Sequence, residues 1–197
     1  MSEKYLKTGR TKQKLGTRNL ILKTAQKFLN EGSDFNLEDI AKEAGISRAT
    51  VYRYFSNIDI LAAEAGLDIK TKHPTEIYED VLGKDLEKQI LDIQQYYNTL
   101  AIDHEKLFRK YISTVLDANT STPKRGARRK KTLELVLEDS TFSKEEKQKL
   151  SNLFTILMGI EPLIVCKDVC GLTNKETIDI LAWGTNLVFK GLNHSKE

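Results

Sequence analysis

The sequence predicts an all-α protein of two parts. Gly and Pro are scarce, 11 and 3 in 197 residues, which favours long uninterrupted helices over a turn-rich β fold. Apolar residues recur with the helical period through most of the chain, and no internal repeat or strand–turn–strand pattern interrupts them. Charge divides the chain as well. Residues 1–72 carry 13 Lys and Arg against 9 Asp and Glu, a net of +4, while residues 73–197 carry 18 against 19, a net of −1. The expected organisation is a basic flexible arm over 1–16, a small head over 17–72 and a helical-bundle domain over 73–197.

The arm is polar and basic, contains Gly9 and Gly16, and has no apolar face. From Thr17 a helical stripe appears: Leu20 and Ile21, Ala25, then Phe28 and Leu29, with Gly32 as its stop. Asn36 is placed to cap a second helix carrying Leu37, Ile40, Ala41 and Ala44 on one face, stopped by Gly45. Ser47 caps a third, Arg48 to Phe55, and Asn57 a fourth, from Ile58 to about Lys72. Pro74 and its polar neighbours mark the boundary.

Beyond it, Leu86, Ile90, Ile93, Tyr97 and Leu100 keep helical spacing, and Leu107 to Leu116 form a broad apolar face. Residues 117–124 read as a loop. Ser143 with Glu146 and Thr173 with Glu176 are capping-box patterns opening two further helices. Pro162 is expected to kink the first of them.

Several function classes are excluded or unsupported. No uncharged apolar run reaches membrane-spanning length, the longest being broken by Glu161 and Pro162, and the first residues have no secretory apolar region. Two Cys make no disulfide framework and fit a reducing, cytoplasmic setting. With three His, no glycine-rich phosphate loop and no nucleophile motif, no catalytic set, metal site or cofactor site can be assembled. Cys166 and Cys170 share a helix face at i, i+4, but no further ligand accompanies them, and small core residues are the plainer reading.

The informative stretch runs from Leu37 to Phe55: a short helix, a turn with Gly45, and a second short helix. That is helix-turn-helix chemistry. On the second helix Val51 and Phe55 fall together and face a core, while Ala49, Thr50, Tyr52 and Arg53 point away, with Arg48 near the start. Arg reaches guanine edges bidentately; Thr and Tyr bond phosphate oxygens. The basic front fits a polyanion contact, or else a solvated tail.

The runs Asp39-Ile40-Ala41, Ala44-Gly45-Ile46-Ser47 and Thr50-Val51-Tyr52-Arg53-Tyr54-Phe55, with Leu61, resemble the DNA-binding domain of TetR-family transcriptional regulators. The resemblance covers residues 17–72; beyond them only the layout agrees. It implies a homodimeric regulator whose rear domain binds a small ligand. Carried onto this chain, Thr50 and Tyr52 become phosphate contacts and Arg48, Ala49 and Arg53 base-edge contacts, with Asn36, Ser47 and Tyr54 completing the DNA-binding set. Tyr54 stands where the family often has His, and Ile58 where it usually has Lys, so one phosphate clamp is missing. Lys4, Lys7, Arg10, Lys12 and Lys14 of the arm are candidates to replace it.

In the rear domain Tyr97, Phe108, Tyr111, Phe154, Met158 and Glu161 are candidate lining for a ligand pocket, although aromatics at helical spacing also make ordinary core. Leu153, Leu157, Ile160, Ile164, Leu181, Ala182, Thr185, Val188, Phe189 and Leu192 are the expected dimer interface. The basic run 124–131 reads as a solvated loop or helix start. The expectation is a ligand-responsive, non-enzymatic regulator, most simply a repressor, released from a palindromic double-stranded DNA operator by a small apolar molecule. The alternatives are a helical scaffold protein, or a DNA-binding regulator without a ligand.

Overall fold

The computed structural model describes residues 3–117 and 127–194. In chain order the helices are α1 (Glu3–Glu31), α2 (Leu37–Glu43), α3 (Arg48–Tyr54), α4 (Ile58–Lys70), α5 (Pro74–Val81), α6 (Leu86–Asp103), α7 (Glu105–Asp117), α8 (Arg128–Glu138), α9 (Lys144–Ile156), α10 (Ile160–Ile164) and α11 (Asn174–His194). A single π-helical turn, Val165–Val169, extends α10. The described residues contain no strand. The chain divides into two compact units, Met1–Thr71 with Arg109–Lys124, and Lys72–Phe108 with Arg125–Glu197.

In the first unit α1 packs on α4 and α2, and α2 packs on α3. Helix α1 is already formed at Glu3, so residues 3–16 of the arm expected over 1–16 continue one helix, built largely from Lys, Arg, Gln and Leu, which favour that state. The side chains of Lys4, Lys7, Arg10 and Lys12 lie outside the described residues. Gly32 ends α1 at φ 66°, and Ser33 N–H donates back to Phe28 O at 3.1 Å. The buried stripe of α1 is Ile21, Leu22 and Ala25; Leu20 and Leu29 face outward, a rotation of the expected stripe. Leu37, Ile40, Ala41, Val51, Phe55, Leu61 and Ala65 are the other buried apolar residues of these four helices, with Ile60, Ala63 and Leu67 of α4. Residues 109–117 of α7 belong to this unit, with Tyr111, Ile112 and Val115 buried.

The second unit surrounds a core of Ile77, Val81, Ile90, Ile93, Tyr97, Leu133, Val136, Leu137, Leu150, Phe154, Met158 and Phe189. Helix α8 packs on α9, α5 and α6, and both α10 and α11 pack on α6. The Phe154 and Phe189 rings stack with centroids 5.5 Å apart. Ser143 with Glu146 closes the expected capping box at α9, and Thr173 with Glu176 pairs in the same way at the start of α11. Residues 118–126, which include the expected loop except Asp117, the last residue of α7, and the front of the basic run, lie outside the described residues; Arg128 to Lys131 form the first turn of α8.

The bend between α9 and α10 has a different cause from the expected one. The helices turn by 42° at residues 157–159, where Gly159 adopts φ 87°, ψ −157°. Pro162 sits in the first turn of α10, where a missing N–H costs nothing. Polar side chains pin the break. The buried Asn98 accepts a hydrogen bond from Gly159 N–H at 2.8 Å. Gln94 Nε2 lies within donating distance of Leu157 O, Leu181 O and Thr185 Oγ1 at 2.8, 3.0 and 2.9 Å. Arg129 donates to Met158 O and pairs with Glu161 at 2.8 Å. No single described helix is long and apolar enough to cross a membrane.

Candidate nucleic-acid interface

The α2–turn–α3 element is held by its own side chains. Asn36 Oδ1 accepts from the N–H groups of Glu38 and Asp39 at 2.8 and 3.0 Å, and Asp39 returns a carboxylate to Asn36 N–H at 3.0 Å. The chain reverses at Gly45, φ 64°, where a side chain would be strained, and Ile46 N–H donates to Ala41 O at 3.0 Å. Ser47 Oγ then accepts from Thr50 N–H at 3.1 Å and caps α3. Val51 and Phe55 are fully buried and fix the roll of α3.

That roll leaves Arg48, Ala49, Tyr52 and Arg53 exposed, with Thr50 and Tyr54 half-buried. The structure therefore places six of the eight expected DNA-contacting residues on one short helix, four of them on its exposed face. Asn36 and Ser47 are different: their side chains serve as helix caps. The Thr50 hydroxyl lies 2.8 Å from that of Ser47. The Arg53 guanidinium lies 5.6 Å from the Tyr54 ring centre, a cation–π contact that keeps it close to the helix. An open cleft of about 470 Å³ runs beside the element, lined by Glu38, Asp39, Ala41, Lys42, Ile46, Ser47 and Arg48.

Two features were invisible in the pattern of the sequence. The Tyr52 hydroxyl donates to Glu38 Oε1 at 3.0 Å, across from α3 to α2. This bond, more than partial burial, pushes the Tyr52 phenol above its ordinary pKa, with Arg48 pulling the other way. Residues 14 apart on two helices share no local spacing rule, so only the packing of α2 on α3 reveals the pair. Second, part of the basic front is used internally. Arg18 pairs with Glu64 and lies 5.1 Å above the Phe55 ring, and Lys27 pairs with Glu43 at 2.6 Å. The charge count thus overstates what α1 offers a polyanion.

The other candidate residues are dispersed. Tyr97, Phe154 and Met158 belong to the packed core of the second unit, and Tyr111 is grouped with the first unit. Phe108 is half-buried in the second unit, and Glu161 is engaged by Arg129. Of the expected dimer residues, Ile160 on α10 is buried, and Leu181, Thr185 and Phe189 are buried within the chain's own core because Gln94 and Phe154 on neighbouring helices hold that face of α11 inward. Leu153 is exposed, and Leu157, Ile164, Ala182, Val188 and Leu192 are half-buried. The apolar side chains left outside are instead Ile156, Val165, Val169, Ile180, Trp183 and Leu187. Cys166 is buried, its thiol pushed up by burial, and Cys170 is exposed.

A capped helix-turn-helix with an Arg- and Tyr-bearing outer face, seated on a helical core, defines a DNA-binding protein of the helix-turn-helix class. Residues 21–65 match the family model described as bacterial regulatory proteins, tetR family, and this match of the head supports a TetR-family DNA-binding transcriptional regulator. No curated protein matches the chain.

Proposed function

We propose that the protein is a homodimeric repressor that occupies a palindromic operator in the bacterial cytoplasm and is released by a small, largely apolar molecule bound in the second unit. The outer face of α3 carries the reading: Arg48, Ala49, Tyr52 and Arg53 are exposed while Val51 and Phe55 anchor the helix. Arg48, Ala49 and Arg53 meet base edges in the major groove; Thr50, Tyr52 and Tyr54 meet the backbone. Asn36 and Ser47 act through the helix ends they cap.

Dimerisation uses the face of α11 that the chain does not bury itself. Ile180, Trp183 and Leu187 are spaced by three and four residues, and the π turn packed on α11 adds Val165 and Val169. Side chains added at Gly184 or Gly191 would meet nothing within 4 Å, which leaves room for a partner helix. Two copies related by a two-fold axis then read half-sites one helical turn, about 34–36 Å, or a multiple of it apart.

The test is selection of bound duplexes from random DNA with the full-length protein, followed by a screen for compounds that release them. A palindromic consensus whose binding weakens with salt supports the reading. Recovery of no preferred sequence overturns the operator, and a consensus that no compound releases removes the effector alone.

A further inference from the structure

Tyr52 has one proton to donate, and its hydroxyl gives it to Glu38 Oε1 at 3.0 Å. The ring stands on the outer face of α3, 47% exposed, so the hydroxyl is within reach of an incoming phosphate. Glu38 is the second residue of α2. Its neighbour Asp39 turns back to close the cap on Asn36, whereas Glu38 reaches across to α3. Arg48 and Lys42 line the same cleft as these two acids, so each carboxylate there is set among cations that a polyanion would also attract.

We propose that Glu38 is a positioning residue of the DNA interface: its carboxylate competes with backbone phosphate for the Tyr52 hydroxyl and keeps the head's affinity for any DNA below what its cations would give. The inference rests on the reading that the outer face of α3 meets DNA. Carboxylate and phosphate oxygens are interchangeable acceptors for a phenol, and the single proton serves one of them at a time. When DNA takes it, Glu38 loses a bond and its charge is left beside a polyanion, well inside the screening length of about 8–10 Å. Neither effect depends on base sequence, so the penalty is uniform and salt-sensitive.

The experiment measures binding of the full-length protein to one duplex selected by the wild type and to one unrelated duplex, from 50 to 200 mM salt. Glu38→Gln keeps the length and an acceptor while removing the charge. The expected result is about three- to tenfold tighter binding to both duplexes at the lowest salt. The plot of log K against log salt should steepen by up to about 0.9 per head, as one opposing charge is removed. In the Tyr52→Phe background the gain from Glu38→Gln should shrink, since there is no hydroxyl to contest. Equal thermal stability of wild type and Glu38→Gln separates this from a change in folding. Unchanged affinity and slope, with the wild type still binding, overturns the role of Glu38 alone. So does a change of preference confined to one base pair, which would make Glu38 a reader of a base edge. If the wild type selects no DNA, the reading of the α3 face falls with it.

Discussion

The guanidinium of Arg129 occupies the space that a side chain would take at Gly159: a Cβ there would lie 2.6 Å from Nη1. Gly159 also holds φ 87°, ψ −157°, a region that only glycine adopts readily. Gly159→Ala is therefore expected to destabilise the protein by about 1–3 kcal/mol through the backbone, with a further loss as Arg129 is pushed from Met158 O and Glu161. Denaturant unfolding of the single variants and of Gly159→Ala/Arg129→Ala checks this. The alanine at 159 should cost less once Arg129 is gone. Additivity within about 0.3–0.5 kcal/mol would mean that the two residues do not contend for the same space.

The break at Gly159 also shows where sequence reading stops. Caps are local rules, and Asn36, Ser47, Asn57 and Ser143 each bond the backbone N–H three residues on, as their spacing foretold. Pro162 looked like the source of the bend because proline breaks helix interiors; whether it lies in an interior depends on where the helix begins, and that is set three residues earlier by Gly159. Helix α11 is apolar on more than one side. Periodicity could not say that Leu181, Thr185 and Phe189 face α6 and α9 while Ile180, Trp183 and Leu187 face out. That choice is made by Gln94 and Phe154, which lie far away in sequence. On α3 the outer face was legible because Val51 and Phe55 are its only large apolar pair four apart. The partner of Tyr52 was not, since Glu38 belongs to another helix.

Alkaline stability should report on Tyr97. Burial pushes its phenol up to about 12, and the hydroxyl donates to Thr132 Oγ1, whose own proton goes to Arg128 O. In the unfolded chain the phenol titrates near 10. Between these values the native state holds a proton that the unfolded chain releases. This contribution is whole below about pH 10 and is lost as pH rises toward 12, by about 1.4 kcal/mol per unit. Tyr97→Phe lowers stability at neutral pH by orphaning one hydrogen bond, but its stability should fall less steeply between pH 10 and 12. Parallel slopes for the two proteins in denaturant titrations would rule this out.

Trp183 is 57% exposed at the centre of the apolar face on α11, one turn from Ile180 and Leu187. Trp183→Glu should leave the fold intact, because the ring contributes little to the chain's own core, and should convert dimer to monomer at micromolar concentration. Burying a carboxylate in a symmetric interface places two like charges near the axis, which costs several kcal/mol. Sedimentation velocity with far-UV dichroism is the check. A variant that stays dimeric would move the interface away from Ile180, Trp183 and Leu187.

The two Arg of α3 and Tyr52 should behave differently when tested across a panel of operators. Arg48 and Arg53 are exposed at opposite ends of the helix, and a guanidinium that reads O6 and N7 of guanine contributes roughly 1–3 kcal/mol of discrimination at that base pair. Arg48→Ala or Arg53→Ala should therefore relax preference at one position in each half-site. Binding to operators already altered there should change less. Tyr52→Phe removes a phosphate-bonding hydroxyl while keeping the ring, so its loss should be about two- to tenfold and the same for every duplex. Arg53 starts from its contact with the Tyr54 ring and must swing off it to reach a base, so Tyr54→Leu, which removes both that ring and a phosphate-bonding hydroxyl, should weaken all duplexes as Tyr52→Phe does and in addition alter Arg53-dependent preference. Equal weakening of all duplexes by both Arg variants would place those side chains on phosphate, and base readout would then rest on other residues of the face.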